Sequence, residues 1–118
     1  MKENILIEKS FAFALRIIKL SGYLSKEHKA YVLSRQLLKC GTSVGANARE
    51  AQYAESNKDF IHKLSISLKE ANETKYWLDL IRAADLITNV IYISFNKDCE
   101  ELLKLLIAII KSSKQRIK

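Results

Sequence analysis

A chain of 118 residues with no proline and only three glycines, Gly22, Gly41 and Gly45, has little from which to build tight turns. All-β folds consume many such turns, and turns draw on glycine and proline. The scarcity therefore favours a few long helices joined by short loops. The length suits one domain over residues 1–118 with one modest core.

Hydrophobic spacing marks four helices. The first is expected from about Asn4 to Leu24, with Ile7, Phe11, Ala14, Leu15 and Ile18 on a stripe and Phe13, Ile17 and Leu20 beside it. A short polar loop, Ser25 to Lys29, leads to a second helix from about Ala30 to Ala54, striped by Leu33, Leu37, Cys40, Val44, Ala48 and Ala51. Ser56 is a suitable N-cap for the third, and Asp59, three residues on, supplies the acidic half of a capping box. That helix runs through Phe60, Leu64, Leu68, Ala71, Leu78 and Ile81 to about Leu86. The β-branched run Thr88 to Ile93 has no partner strand in such a chain and reads as a packed connector. Ser94 is then expected to cap a last helix carrying Cys99, Leu102, Leu106, Ile109 and Ser113. A second stripe on it, Leu103, Ile107 and Ile110, exceeds what a monomeric bundle buries and predicts an oligomer interface.

Within Lys39 to Asn47, KCGTSVGAN, the run Gly-Thr-Ser-Val-Gly matches the G-x-S-x-G nucleophile elbow in form. An elbow needs a strand before its serine and a helix after it, with an acid and then a histidine following. The preceding YVLSRQLLKC has helical periodicity, and the sole downstream histidine, His62, lies one turn from Asp59 on the same expected helix. No triad can assemble around Ser43. Gly41 and Gly45 instead fall on one helical face with Ala48 beyond, which lets a neighbouring helix approach closely. A second line, Ser43, Asn47 and Glu50, faces Glu70 and Glu73 of the third helix. A polar network between those lines would set helix register; solvation of the same side chains is the rival reading.

Other chemistry finds no support. Cys40 and Cys99 are too few for a disulfide framework, and neither they nor His28 and His62 have metal-ligand spacing. A di-iron bundle needs Glu-x-x-His on two helices, and the chain has none. No catalytic residue, metal, cofactor or small-molecule substrate is expected. LLKLLIAII is too short to cross a membrane and is broken by Lys104. The amino-terminal stretch mixes Glu3, Glu8 and Lys9 into its apolar residues without a cleavage site, so a cytoplasmic protein is the default.

Ser43 to Ile81, SVGANAREAQYAESNKDFIHKLSISLKEANETKYWLDLI, is the most distinctive third of the chain. Ser43, Asn47, Glu50 and Ala51, then Ser56, Asp59 and Phe60, then Lys69 and Glu70, then Trp77 and Leu78 form an ordered set that closely resembles the bacterial four-helix bundle proteins encoded in intervening sequences of 23S rRNA genes. That family is similar in turn to the accessory variability determinant of diversity-generating retroelements, which works with a reverse transcriptase and its template RNA. The resemblance implies an all-α, antiparallel up-down four-helix bundle, assembled as a barrel-like homopentamer with a basic surface for nucleic acid. The chain departs from the family pattern in the small-sided second helix made by Gly45 and Ala48.

The formal net charge of +7 points towards an anionic partner. Arg35 and Lys39 lie one turn apart on the polar side of the second helix. The tail KSSKQRIK supplies Lys111, Lys114, Arg116 and Lys118, and Lys26 and Lys29 add charge at the first loop. Symmetric assembly multiplies each patch. Three functions follow for test: a non-enzymatic oligomer that binds structured RNA, a protein-interaction scaffold or accessory subunit (for example to a reverse transcriptase), and, least supported, a hydrolase using Ser43.

Overall fold

Four helices account for nearly all of residues 1–117, the part of the chain that the structure, a computed structural model, describes. They are α1 (Lys2–His28), α2 (Tyr31–Ala51), α3 (Asn57–Ala83) and α4 (Asn89–Ile117). Two to five residues join each pair, so successive helices must run antiparallel. Contacts between them agree: Ser67 Oγ of α3 donates to the Val44 carbonyl of α2 at 2.6 Å, and Lys75 Nζ of α3 to Asn96 Oδ1 of α4 at 2.9 Å. α1 packs on α2, α2 on α3, α3 on α4, and α4 closes against α1, giving an up-down bundle of 49 × 21 × 19 Å. No helix of the described residues is long and apolar enough to cross a membrane.

Local chemistry sets the helix ends. Ser56 accepts from the Asp59 amide at 3.0 Å, as its spacing predicts. The Asp59 carboxylate reaches back one residue further than a capping box requires, accepting from the Glu55 amide at 3.1 Å. It also pairs with Lys63 at 2.9 Å rather than with His62. At the end of α3 the chain turns through Asp85 in the left-handed region (φ 59°). The Leu86 amide then bonds the Ile81 carbonyl and the Asp85 amide the Arg82 carbonyl, a Schellman arrangement built without glycine.

The expected connector at Thr88 to Ile93 is corrected. Thr88 Oγ1 accepts from the Ile91 amide at 3.2 Å and caps α4, which begins at Asn89. The β-branched run is therefore helical, because burial of Ile87 and Phe95 outweighs the small propensity cost of valine and isoleucine. Ser94, expected as the cap, stands in the second turn, where its Oγ accepts from Arg16 Nη2 at 2.8 Å.

Burial also reassigns the faces of α1. Its core face is Leu6, Phe13, Ile17, Leu20 and Leu24, while Phe11, Leu15 and Ile18 of the other stripe remain 53, 50 and 51% exposed. The stripes of α2, α3 and α4 fall as spacing predicts, with Leu37, Val44, Leu64, Leu78, Leu102 and Leu106 fully buried. Glycines decide how α1 meets α2. A Cβ added at Gly41 would lie 2.8 Å from Ile17 Cγ2, and one at Gly45 would lie 3.3 Å from the Ser10 carbonyl oxygen. The helices touch almost backbone to side chain along this seam, as the small-residue spacing predicts.

Candidate nucleic-acid interface

Ser43 lies within an unbroken helix, and its Oγ donates to the Lys39 carbonyl of its own helix at 2.6 Å. The strand and sharp turn of an elbow are replaced by continuous α2. Asn47 likewise donates to the Ser43 carbonyl at 2.8 Å. Both side chains thus satisfy themselves on the preceding turn, a common habit of short polar residues in helices. The network expected from Ser43, Asn47 and Glu50 to Glu70 and Glu73 does not form: no hydrogen bond among the described residues joins them. The α2–α3 register is held by Ser67 on the Val44 carbonyl instead. Glu70, half-buried, has its carboxyl pushed above the ordinary range, first by desolvation and then by Glu73, with Lys69 and Lys39 acting oppositely.

Two buried thiols sit in the same layer. Cys99 Sγ donates to the Ala71 carbonyl at 3.4 Å and Cys40 to the Leu37 carbonyl at 3.6 Å. Burial pushes the Cys99 thiol up to about 12, and Cys40 also upward, so both stay protonated and behave as small apolar residues. No group of three or more His, Cys, Asp or Glu among the described residues could hold a metal ion.

The candidate cations are all exposed where described, but they fall at opposite ends of the bundle. Lys26 and Lys29 close α1, with Arg35 a little over a turn into α2. Lys111, Lys114 and Arg116 lie at the end of α4, where Arg116 shares a shallow pocket with Met1 and Lys2. Lys39 projects between these groups beside Glu70. Lys118 lies outside the described residues. Ion pairs engage other cations: Lys9 with Glu101, Arg16 with Asp98, Lys63 with Asp59, Lys75 with Asp79 and Glu100, and Arg82 with Asp85. Among the described residues none of the candidate cations enters an ion pair, although Lys39 acts on Glu70 and Arg116 lines its pocket together with Glu3.

The expected interface on α4 divides. Ile110 is only 7% exposed and belongs to the core, Leu103 is half-buried, and Ile107 stands 54% exposed. Ile107 and Ile110 line a cleft of about 420 Å³ between α3 and α4 together with Leu68, Lys111 and Lys114. The predicted interface and part of the predicted cationic tail thus share one surface. On the opposite side of the bundle, Phe11 and Ile18 line a groove of about 250 Å³ between α1 and α2, floored by Gly45 and Ala46. Arg49 lies over the Phe11 ring, 5.6 Å from its centroid.

Periodicity gave no sign of the link that closes α1 on α4. Arg16 is bound by Ser94 and Asp98 while its guanidinium lies 4.0 Å above the Phe95 ring centroid. The pieces, an arginine within an apolar helix and an acid far downstream, are visible in sequence, but their pairing requires the fold.

Comparison with known proteins agrees with the geometry. No curated protein matches the chain. A crystal structure of a protein of unknown function from the S23 ribosomal protein family of Bacteroides thetaiotaomicron VPI-5482 is similar at a TM-score of 0.92 and 53% identity, over 94% of this chain and 99% of that one. The profile described as "23S rRNA-intervening sequence protein" matches residues 2–108. With four antiparallel helices, the Ser43–Ile81 signature and a match over most of its length, the chain belongs to the 23S rRNA-intervening sequence protein family.

Proposed function

We propose that this chain is a non-enzymatic subunit of a homo-oligomer, a pentamer by family resemblance, that binds structured RNA in the cytoplasm through repeated basic patches. One observation carries the reading: the described candidate cations are exposed and enter no ion pair, and most other described cations, Lys19, Lys69 and Lys104 among them, enter none either, so that ion pairs engage only Lys9, Arg16, Lys63, Lys75 and Arg82 among the described residues. Unpaired positive charge on a chain of net charge +7 attracts phosphate and repels other copies of itself unless something offsets it. Membership of the 23S rRNA-intervening sequence protein family supports RNA as the polyanion.

Assembly is supported by two apolar surfaces on opposite sides of the bundle, the α1–α2 groove with Phe11 and Ile18 and the α3–α4 cleft with Ile107. A contact between different faces of successive copies is heterologous, and such contacts form a ring where the rotation between copies closes and an open filament where it does not. Ring closure would repeat every basic patch around an axis.

The exposed α1 stripe also favours a second reading, a scaffold or accessory subunit whose partner is a protein. Binding of a labelled structured RNA across a salt series separates the two. RNA binding predicts a steep fall in log affinity with log salt, and a loss on replacing Arg35 and Lys39 together by alanine. A folded protein that ignores RNA even at low salt leaves the scaffold.

A further inference from the structure

The first and last helices repeat one pattern. From Glu8, α1 places Phe11, Leu15 and Ile18 three, seven and ten residues on, with Lys19 at eleven. From Glu100, α4 places Leu103, Ile107 and Ile110 at the same three steps, with Lys111 at eleven. Such steps keep all five residues on one broad helical face. Each face therefore has an apolar middle, an acid towards its N-terminal end and a lysine towards its C-terminal end. Eleven residues of helix span about 16 Å, so the two faces are equally long.

Their shapes differ. Phe11, Leu15 and Ile18 are half exposed and form a ridge, which ends at Gly22 where no side chain continues it. On α4, Ile110 is buried and Leu103 half-buried, and Ile107 sits with Leu68 in the cleft between α3 and α4. A ridge fills a cleft, whereas two ridges or two clefts leave gaps, and protein contacts pack as densely as interiors. Charge then sets the direction. Glu8, Lys19 and Lys111 are exposed, and none of them enters an ion pair among the described residues. Glu100 has only a 3.6 Å contact with Lys75. Laid antiparallel, the two faces set Glu8 against Lys111 and Lys19 against Glu100. Laid parallel, they set acid against acid and lysine against lysine. Charges at the flanks of an apolar seam choose orientation and register in this way. The antiparallel register also brings Phe11 within about one residue of the level of Ile107, and Leu15 within about one of Leu103.

We infer that the α1 ridge of one copy lies antiparallel in the α3–α4 cleft of the next, with Glu8 paired to Lys111 and Lys19 to Glu100 across the contact. The inference rests on the homo-oligomer reading and names the partner faces, their direction and their register. It also gives Lys111 a role in assembly rather than on the RNA.

Sedimentation velocity of the full chain over a concentration series at low salt tests this, with circular dichroism to show that each variant is folded. Glu8→Lys and Lys111→Glu each set like charges across every contact. Each alone should weaken association about fivefold, and less at high salt. Glu8→Lys combined with Lys111→Glu exchanges the two charges and should restore the association of the parent. Rescue of Glu8→Lys by Lys19→Glu instead would assign a two-fold contact between α1 helices, and rescue of Lys111→Glu by Glu100→Lys one between α4 helices; either overturns the inference. Single variants that associate like the parent overturn the register and leave the homo-oligomer standing. A folded parent that stays monomeric at every concentration removes both.

Discussion

Gly41 of α2 lies directly against the branched side chain of Ile17 on α1: a methyl group at Gly41 would stand 2.8 Å from Ile17 Cγ2 and 2.9 Å from Cγ1. Ile17 is fully buried and cannot turn aside into solvent. The small residue is thus the reason α1 and α2 pack as closely as they do. Gly22 is the contrast, for nothing lies within 4 Å of a Cβ placed there.

These two glycines should respond to alanine with opposite signs. Gly22→Ala gains helix propensity without a clash and should stabilise by about 1 kcal/mol. Gly41→Ala gains the same propensity but overpacks the seam, at a cost of about 1–3 kcal/mol, so its net effect should be destabilising. Urea denaturation of both variants checks the pair, and stabilisation by Gly41→Ala would refute the tight seam.

Asp85 holds the left-handed position of the Schellman turn after α3, where a side chain costs about 1–2 kcal/mol that glycine avoids. Asp tolerates this region better than most residues, and its pair with Arg82 is exposed and worth little. Asp85→Gly should therefore raise stability by roughly 0.5–1 kcal/mol. Thermal melting that shows no gain would mean that the aspartate contributes more than its backbone strain costs.

Two carboxylates should give opposite pH signatures. Asp59 has its pKa lowered, first by the bond from Lys63 and then by the Glu55 amide. Its contribution is complete above the ordinary value of 3.8 and is lost as pH falls through the lowered folded value, so Asp59→Asn should destabilise near neutrality and converge on the parent in acid. Glu70 has its pKa raised, mainly by desolvation. The stability that this shift contributes is present below the ordinary value of 4.5 and lost as pH rises through the folded value. Glu70→Gln should accordingly stabilise at neutral pH and lose that advantage in acid. Melting temperatures across a pH series decide both signs.

The proposed heterologous assembly would have a distinctive consequence. Phe11→Glu places a charge on the α1–α2 surface and Ile107→Glu one on the α3–α4 surface, and each alone should reduce the oligomer to monomers. Each variant keeps one intact surface, so a mixture should form a dimer that neither forms alone. Sedimentation velocity distinguishes this from a two-fold interface, in which mixing would restore nothing.

Much of this was legible in the residues. The absence of proline, the Ser56 cap, the stripes of α2 to α4 and the Gly41–Gly45 spacing express local physics: turn chemistry, capping and a period of 3.6 residues. The same periodicity showed the G-x-S-x-G match to be helical. What it does not contain is the choice between competing faces. On α1 both Phe11-Leu15-Ile18 and Phe13-Ile17-Leu20 satisfy helical spacing, and the second is buried because α2, α3 and α4 converge on that side. Asn89–Ile93 is helical, capped by Thr88, because Ile87 and Phe95 bury themselves in the assembled core. The bonds of Ser43 and Asn47 to their own helix, and the meeting of Arg16 with Ser94, Asp98 and Phe95, depended on distances that exist only after folding. Sequence determined which surfaces each helix could offer, since a helix carries its own periodicity. Tertiary structure alone decided which were covered, because burial is settled by the neighbours that arrive.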